Sequence, residues 1–315
     1  MLMQNISVAI PTYRREKPLL RTLEQLLALE HAALEILVID QSTDHEPETV
    51  RTLEALAKDG RIDWRKLSQP SIPKAMNHAL QIARADVVLF VDDDTVLNSE
   101  LIREHAKEHE GPEVVCVAGR VVQLWEQEPK ESEGYRMDDC AGDPDVFPFN
   151  SRNKAMIERF MGGNFSINKG FALSIGGFDE NFVKAAYRFE AEFSNRLALA
   201  GEQIVFQPDA SVLHLKEQTG GTRSFGSHLR TIWPAHSVGR YYYLFMVKPV
   251  HRRIRRIVLG PLSAVITRHH LKHPWWIPLT LISELSGMVW ALWLCARGPR
   301  LLISRVQSRS PRFSL

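Results

Sequence analysis

The sequence predicts an α/β fold, in which a mostly parallel sheet carries helices on both faces. Within the first 120 residues, short apolar runs alternate with amphipathic stretches, as strands alternate with helices in this class. Two of the apolar runs end in carboxylates, at Asp40 and at Asp92–Asp94. Parallel strands place their carboxyl ends along one edge of the sheet, where ligands bind. We therefore expect both acidic positions to face one crevice.

The predicted elements follow in chain order. Strands are expected at residues 6–10, 34–39, 62–67, 87–91 and 114–122, and helices at 18–29, 47–58 and 73–83. Each of these helices begins at a proline, which fits the first helical turn. Residues 123–160 are rich in Glu, Asp, Pro and Gly without apolar periodicity, which indicates a long functional or disordered loop. Beyond the loop we expect strands at 165–168, 204–206 and 211–215 and a helix near 189–200.

The composition indicates one large globular domain with an appendage. Of 315 residues, 44% are hydrophobic and 24% are charged, which is typical of a globular protein. The cysteines at 116, 140 and 295 are odd in number and far apart. This argues against a disulfide framework or a zinc site and fits a reducing compartment. The first apolar run is short and ends at Pro11, so we expect no signal peptide.

The C-terminal region differs in charge from the rest of the chain. Residues 248–315 contain twelve Lys or Arg and one acid, Glu284, for a net charge of +11; the whole chain carries +2, which leaves −9 elsewhere. A basic tail with tryptophans beside an acidic body is typical of a domain docked on an anionic membrane. Nucleic acid is the other partner with this charge preference. The apolar runs at 257–267 and 275–296 favour lipid, and we expect no nucleic-acid partner.

The second apolar run has two interpretations. Residues 275–296 are long enough to cross a bilayer. However, the run contains Glu284 and has basic residues on both flanks, whereas a spanning helix favours charge asymmetry. Peripheral or monotopic attachment, by a helix in the interface or a re-entrant pair, is therefore favoured over a spanning helix.

The sequence VLFVDDDT at residues 88–95 is the clearest chemical feature. Three consecutive carboxylates repel one another, and a divalent cation would offset that repulsion. Mg²⁺ and Mn²⁺ accept oxygen ligands and bridge to substrate phosphates. A solvated acidic turn before a helix is the alternative, and these residues alone do not decide between the two.

Seven stretches together resemble glycosyltransferase family 2, whose members have the GT-A fold. They span roughly residues 5–215 in the family's order: SVAIPTYRR (7–15), EILVIDQSTD (35–44), Asn77 before ADVVLFVDDDT (85–95), GGNFSI (162–167), GGFDENF (176–182), YRFEAEFSNRLALAG (187–201) and FQPDASVLHL (206–215). The resemblance implies transfer of a sugar from a nucleoside-diphosphate sugar, most commonly a UDP-sugar, to a hydroxyl of a saccharide or lipid-linked acceptor. It also implies inversion at the anomeric carbon and a requirement for Mn²⁺ or Mg²⁺.

The resemblance also assigns donor-binding residues. Those implied for the nucleotide sugar are Pro11, Thr12, Tyr13, Arg14, Asp40, Lys74, Asn77, Asp92, Asp93, Gly162, Gly163 and Arg223. Asp40 matches the acid that binds the base; its alternative role is to end a strand and start an Asx-turn. Met76 replaces an Arg of the family beside Asn77, and Lys74 is the candidate substitute. Arg223 follows two glycines and could clamp the diphosphate, unless this segment is only a flexible linker.

The metal ligands implied by the resemblance are Asp94, Asp92 and His214. Asp92 and Asp94 match the family's DxD motif, and Asp94 is the expected direct ligand. Asp92 would hold ribose or a metal-bound water. His214 lies at the end of a predicted strand; it is either a further ligand or a structural histidine.

The catalytic base implied by the resemblance is Glu190. Aligning Arg196–Leu197 with the family's "RL" puts Glu190 at the position of its catalytic Asp, and Phe189 at the position of its Glu. Glu190 and Glu192 are two residues apart, so on one helix they point about 200° apart. Glu192 is the second candidate; its other interpretation is a charge that stabilises the helix N-terminus.

These expectations define two regions: a GT-A catalytic domain at 1–225 and a helical, membrane-associating region at 226–315. The protein would work at the cytoplasmic face of a membrane. One alternative is a nucleotidyltransferase, but the segment PTYRREKP lacks the glycine-rich phosphate loop typical of that class. The other is a non-catalytic membrane-bound scaffold with a decayed site, suggested by Met76 and Phe189.

Overall fold

The computed structural model describes residues 4–111, 113–126, 147–247 and 254–302. The strands are β1 Ile6–Thr12, β2 Glu35–Asp40, β3 Asp63–Lys66, β4 Val87–Val91, β5 Thr95–Leu97, β6 Cys116–Gln123, β7 Ala155–Ile157, β8 Asn164–Asn168 and β9 Ile204–His214. The helices are α1 Lys17–Ala28, α2 Pro47–Lys58, α3 Ile72–Ile82, α4 Leu101–Glu108, α5 Lys169–Ser174, α6 Phe189–Leu199, α7 Ser237–Met246, α8 Ile254–Val265, α9 Arg268–Lys272 and α10 Trp276–Arg297. A 3₁₀ turn covers Gly221–Phe225.

The described strands form one nine-stranded sheet in the order β3-β2-β1-β4-β8-β6-β9-β5, with β7 beside β9. The strands β3, β2, β1 and β4 are parallel, as predicted for the N-terminal half. Beyond β4 the sheet is mixed, because β8 runs antiparallel to β4 and to β6. In this register Val91 at the end of β4 pairs with Asn164 at the start of β8. The glycines at 162 and 163 are thereby brought to the edge where the acidic cluster begins.

Alternating residues of the central strands enter two hydrophobic cores. Val8 and Val38 belong to one core, whereas Ala9 and Leu37 belong to the other. Both faces are therefore covered by helices, which confirms the predicted class of fold. The central strands accordingly consist almost entirely of apolar residues, as expected of parallel strands buried on both faces.

Two features of the structure differ in detail from the prediction. The separate strands expected at 204–206 and 211–215 are a single strand, β9, interrupted by a bulge. The register along β6 moves from Gly119 opposite Gln207 to Arg120 opposite Ser211, so residues 208–210 are the extra residues, and they contain Pro208. The long loop expected at 123–160 contains the short strand β7, and residues 127–146 of it lie outside the described part.

Residues 176–182 of the sheet domain form one of the contacts with the C-terminal helices. Tyr242 of α7 is fully buried and its hydroxyl donates a hydrogen bond to Asp179, 2.7 Å between oxygens. The Asn181 side-chain Nδ2 donates to the Gly298 carbonyl at 2.7 Å, and the Leu302 backbone N–H donates to the Gly176 carbonyl at 2.8 Å. The division at 225/226 therefore stays a prediction about function, because α7 and α10 contribute to the same core as the sheet.

Candidate active site

A cavity of about 160 Å³ lies at the carboxyl edge of β1 and β4. We call it the carboxylate cavity, because Asp92, Asp93 and Asp94 line it together with His214. Three further basic or amide residues line it: Arg15, Gln41 and Lys184. The crevice predicted from the strand ends is thus present at Asp92–Asp94, where acidic and basic groups are in contact, but Asp40, which was expected to face the same crevice, does not line it.

Asp92, Asp94 and His214 form a cluster with the geometry of a metal site. Their ligand atoms all lie within 4.8 Å of one another. The pairing of Thr95 in β5 with His214 in β9 brings the end of the second strand against the acidic turn. His214 Nε2 lies 3.2 Å from Asp94 Oδ1, and its Nδ1 lies 3.0 Å from Gln123 Oε1. Two carboxylates and an imidazole are suitable ligands for a divalent ion such as Mn²⁺.

Gly163 gives Asp92 the space that this cluster needs. A Cβ on Gly163 would lie 2.1 Å from Asp92 Oδ2, so no other residue fits without displacing the carboxylate. The backbone is also joined here, because the Asp92 amide donates to the Gly163 carbonyl at 3.2 Å. Gly162 lies close to a different acid, with a looser fit: its Cβ would lie 3.0 Å from Glu190 Oε1. The two adjacent glycines therefore contact two separate carboxylates.

Arg15 is a site residue that the sequence analysis did not find. Its guanidinium is buried and lies 3.0 Å from Asp94 Oδ2 and 3.2 Å from Asp93 Oδ1. It also donates to the Thr219 carbonyl. Arg15 therefore offsets part of the carboxylate repulsion that the sequence analysis assigned to a metal. The signal was the pair of arginines after β1, of which only Arg14 was chosen.

Arg14 itself points elsewhere. It adopts a left-handed backbone conformation (φ 54°) and its amide donates to Ser42 Oγ at 2.8 Å. Its guanidinium lies over the Tyr13 ring, 5.2 Å from the ring centre. This turn directs the next side chain, that of Arg15, into the cavity.

The three acids of the turn have different roles in the structure. Burial raises the pKa of Asp93 to about 7, partly opposed by Arg15 and by the Thr12 hydroxyl, which donates to Asp93 at 2.6 Å. Asp93 thus links β1 to β4. Burial would raise the pKa of Asp94 as well, but the hydrogen bond and charge of His214, followed by Arg15, lower it below its ordinary value. Burial raises the pKa of Asp92.

The 3₁₀ turn covers one side of the carboxylate cavity. The Gly221 amide donates to the Tyr13 carbonyl at 2.7 Å, and the Tyr13 and Phe225 rings stack with centres 6.2 Å apart. Both rings and Pro11 line the cavity. This segment does fold over the edge of β1, but Arg223 is not among the lining residues, and its contact with a diphosphate stays a prediction. Phe225 had no signal in the sequence.

Asp40 is fully buried and its carboxylate is engaged by three groups. It accepts hydrogen bonds from the Ser42 amide at 2.8 Å, His45 Nε2 at 2.9 Å and Trp64 Nε1 at 3.0 Å. It does not line the carboxylate cavity, whereas the next residue, Gln41, does. The Asx-turn expected as the alternative for Asp40 is thus present. Binding of the base by Asp40 stays a prediction, and Gln41 is the nearer side chain.

Asn77 and Lys74 are also absent from the walls of that cavity. Asn77 accepts from the Phe178 amide at 2.7 Å and donates to the Phe178 carbonyl at 2.9 Å, so it holds the turn at 176–179. Lys74 donates to Gln69 Oε1 at 3.1 Å. Met76, where the family has Arg, lines the cavity. The donor contacts expected of Asn77 and Lys74 therefore stay predictions, which would require a rearrangement at this edge.

Glu190 lies in an adjoining cavity of about 360 Å³, which we call the Glu190 cavity. The two cavities share Ile72 and Thr222. Burial raises the pKa of Glu190 to about 7, and the nearby charge of Asp92 acts in the same direction, while Arg188 opposes it. A carboxylate with a pKa near neutrality can accept a proton from a hydroxyl more readily than an ordinary one.

Glu192 faces the other side of α6. It forms a two-point ion pair with Arg196, at 2.7 and 2.9 Å, and Arg196 also donates to the Ile175 carbonyl. The predicted divergence of the two acids is therefore observed, and Glu190 is the one that faces a cavity. Phe189, which stands at an acidic position of the family, packs edge-on against Phe178 in the core, with ring centres 5.9 Å apart.

The sheet order and the helices on both faces define a GT-A type fold, and solved structures with this fold show the same architecture. A structure of GalNAc-T7 with UDP, GalNAc and Mn²⁺ has 12% sequence identity and a TM-score of 0.66, covering 94% of this chain and 57% of its own. A mannosyltransferase from Pyrobaculum calidifontis with GDP-Man and Mn²⁺ has 19% identity and a TM-score of 0.55, covering 95% and 80%. S. aureus TarS 1–349 with UDP-GlcNAc has 14% identity and a TM-score of 0.58, covering 94% and 92%.

The sequence places the chain more narrowly. The family profile described as glycosyl transferase family 2 matches residues 7–176. The chain belongs to this family. It is also 24% identical over 197 residues to the uncharacterized glycosyltransferase YfnE of Bacillus subtilis strain 168. That match covers 61% of this chain and 48% of YfnE, so the chain spans about half the length of the curated relative.

Proposed function

We propose that this protein transfers a sugar from a nucleoside-diphosphate sugar to an acceptor hydroxyl, with inversion at the anomeric carbon. The observation that carries the proposal is the double glycine between two carboxylate sites. Gly163 lies against Asp92 of the metal cluster and Gly162 lies against Glu190. A donor whose diphosphate is held at the first site would therefore have its sugar beside the second.

Mn²⁺ or Mg²⁺ is the proposed cofactor, and Asp92, Asp94 and His214 would hold it. The mutual distances of their ligand atoms support this, as do the Mn²⁺ ions named in two structures of similar fold. When bound, the ion would stabilise the negative charge that develops on the leaving diphosphate. Arg15 and Lys184 also line this cavity and would contribute charge to the same end.

Glu190 is the proposed general base. In the transfer step, the Glu190 carboxylate takes the proton of the acceptor hydroxyl, and that oxygen attacks the anomeric carbon on the face opposite the diphosphate. The bond between the anomeric carbon and the diphosphate oxygen breaks, and the nucleoside diphosphate leaves with the electron pair. Because one displacement inverts the carbon, no covalent enzyme intermediate and no nucleophilic side chain are required.

A UDP-sugar is the proposed donor and a saccharide or lipid-linked acceptor the proposed acceptor. UDP or a UDP-sugar is named in two of the structures of similar fold, which favours uracil as the base, and GDP-Man is named in a third. A location at the cytoplasmic face of a membrane, peripheral or monotopic, belongs to the same proposal. Its support is the basic C-terminal region and α10, the one described helix long and apolar enough to cross a membrane.

Nucleotide release from a panel of UDP- and GDP-sugars, measured with Mn²⁺ and with EDTA, tests the proposal. We expect release of the free nucleoside diphosphate from one donor class, dependent on the metal. Release of pyrophosphate from a nucleoside triphosphate would instead indicate the nucleotidyltransferase alternative. Failure to bind or hydrolyse any donor would indicate the non-catalytic scaffold, for which Met76 and Phe189 remain the argument.

A further inference from the structure

The helix α10 presents its apolar side chains to the outside and its small and polar residues to the protein. The exposed apolar residues of α10 follow helical spacing: Ile282, Leu285, Val289, Leu292 and Trp293. The buried residues occupy the opposite stripe: Thr280, Ser283, Glu284, Gly287, Ala291 and Leu294. A surface helix of a soluble domain has the reverse arrangement. Val289 is 68% exposed and Leu285 is 53% exposed, so the outer stripe has no cover among the described residues.

The inner stripe of α10 is held along its length by α7. Glu284 accepts a hydrogen bond from the Tyr241 hydroxyl at 2.7 Å, and the Ser237 hydroxyl donates to the Ser283 carbonyl at 2.9 Å. A Cβ on Gly287 would lie 2.1 Å from Ser237 Oγ, so the backbones approach closely. With 22 residues, α10 is about 33 Å long and would suffice for a bilayer. However, a spanning orientation would require these contacts to break, so the helix lies along the protein surface.

The helix α8 extends the same surface. A Cβ on Gly260 would lie 2.6 Å from the Tyr241 hydroxyl, so α8 and α10 contact the same tyrosine from neighbouring positions. Their outer stripes therefore both point away from α7. The exposed apolar residues of α8, of α9 and of the connecting segments are Ile254, Val258, Leu259, Leu262, Ile266, Leu271 and Trp275. We call the exposed stripes of α8 and α10, with these connecting residues, the lipid face.

Positive charge accompanies the lipid face. Residues 254–302 contain six Lys or Arg and one acid, Glu284, which is buried. Exposed cations stand on α8, α9 and the end of α10, at Arg255, Arg268, Lys272 and Arg297. The Arg297 guanidinium lies over the Trp293 ring, 4.6 Å from its centre. Tryptophan and arginine side chains with an apolar body and a polar tip are typical of the boundary between lipid chains and headgroups.

We propose that the lipid face docks flat on an anionic bilayer, with α8 and α10 in the plane of the interface and neither helix crossing it. Apolar burial supplies one part of the attraction and the cations supply the other. A second copy of this chain is the less suitable occupant. A symmetric dimer through this face would bring the same cations together, and no exposed acid of residues 254–302 would compensate them.

Docking in this orientation also gives the acceptor a route, and this part rests on the proposed function. A third cavity, of about 450 Å³, is lined by residues of α7, α8 and α10, including Arg240, Ser263 and Glu284. It shares Tyr187, Arg188 and His236 with the Glu190 cavity. An acceptor sugar attached to a lipid could therefore reach Glu190 from the membrane side while its lipid stays in the bilayer.

Vesicle flotation of the full-length chain tests the docking face. One probe is a vesicle that contains roughly 30 to 40% anionic phospholipid, and the other is a vesicle of zwitterionic phospholipid alone. The variant is Leu285→Glu, and the matched control is Leu199→Glu on α6, a leucine that is 80% exposed on another part of the surface. Circular dichroism and thermal unfolding check that both variants fold.

We expect Leu285→Glu to lower partition onto anionic vesicles about tenfold, because a buried leucine contributes roughly that factor. Leu199→Glu should bind as the unchanged chain does. High salt should release part of the bound protein, because the apolar term persists, and detergent should release all of it. Resistance to both salt and alkaline carbonate would overturn the in-plane orientation in favour of a spanning helix.

Equal flotation of Leu285→Glu and Leu199→Glu would overturn the assignment of the lipid face. So would a concentration-dependent dimer of the unchanged chain that Leu285→Glu abolishes, if neither of these two proteins binds vesicles. Binding of UDP and of GDP in the presence of Mn²⁺ is measured on the same samples. Absence of binding of both nucleotides in all samples, with flotation as expected, would refute the proposed function alone. Normal nucleotide binding without flotation would refute the membrane surface alone.

Discussion

Gly163 and Asp92 are in such close contact that a single methyl group on the glycine would lie 2.1 Å from the carboxylate oxygen. The metal cluster therefore depends on a residue that supplies no ligand. Gly163→Ala should displace Asp92 and lower both Mn²⁺ affinity and turnover by about tenfold or more, as other changes next to metal ligands do. Titration calorimetry with Mn²⁺ and nucleotide release measure the two effects.

Gly111→Ala is the control for that substitution, because its Cβ would meet Val114 only at an ordinary contact distance of 3.4 Å. It should leave Mn²⁺ binding and turnover unchanged. If Gly163→Ala binds Mn²⁺ with unchanged affinity, Asp92 is not part of the metal site.

Asp94→Asn should abolish metal-dependent transfer while the chain stays folded. The change removes the anionic ligand and weakens the contacts of Asp94 with His214 and Arg15. We expect a loss of about a hundredfold or more in turnover, since one electrostatic contact in an active site contributes on that order. Asp59→Asn, at the exposed end of α2, is the matched control. Near-normal turnover of Asp94→Asn at saturating Mn²⁺ would exclude Asp94 as a direct ligand.

Glu190→Gln and Glu192→Gln should fail in different ways. Glu190→Gln should lose turnover and keep UDP binding, because a base acts on the acceptor rather than on the nucleotide. Glu192→Gln should keep turnover but lower the free energy of unfolding by about 2 kcal/mol, because it weakens the partly buried pair with Arg196. Single-turnover kinetics and urea unfolding distinguish the two outcomes. An inactive Glu192→Gln beside an active Glu190→Gln would reverse the assignment.

His45 should make stability depend on pH. Its ring bridges Asp40 and Glu16, and the hydrogen bond with Asp40, aided by Glu16 and opposed by burial, raises the pKa of His45 above 6.5. A raised pKa in the folded state stabilises the fold below pH 6.5, and this contribution is lost as pH rises through the folded-state pKa. His45→Gln should therefore lower the free energy of unfolding by about 1–2 kcal/mol at pH 5.5 and by less at pH 9.

Urea unfolding at the two pH values checks this prediction, with His31→Gln as the control. The pKa of Asp40 is lowered from 3.8 in the folded state, so the ionised carboxylate also stabilises the fold above about pH 3.8. Both Asp40 and His45 therefore stabilise the fold at pH 5.5. A difference between His45→Gln and the unchanged protein that grows toward pH 9 would show that His45 is neutral in the folded state.

The sequence by itself determined the class of fold and the acidic character of the sheet edge at which the parallel strands end. Apolar runs that alternate with amphipathic stretches predicted β1 to β4, β6 and α1 to α3, because burial on both faces requires that pattern, whereas β5 and α4 were not among the predicted elements. Asp92 and Asp94 after β4 and His214 at the end of β9 were predicted as metal ligands from the family resemblance, and carboxylates and imidazole are residue types that bind divalent ions. The sequence did not determine which side chains enter the cavities. Arg14 and Arg15, or Asp40 and Gln41, are adjacent in the chain, and the backbone turn decides which of each pair faces inward.

Only the tertiary structure decided those choices and the contacts between distant segments. Asn77 was expected at the donor because of its family position, but Phe178, a hundred residues away, supplies its hydrogen-bond partners. Likewise the sequence showed that α10 is apolar without showing which of its stripes is covered. Periodicity describes one helix at a time, whereas burial depends on the partner that packs against it. The close fit of Gly287 against Ser237 turned the small residues of α10 inward and left its leucines outside.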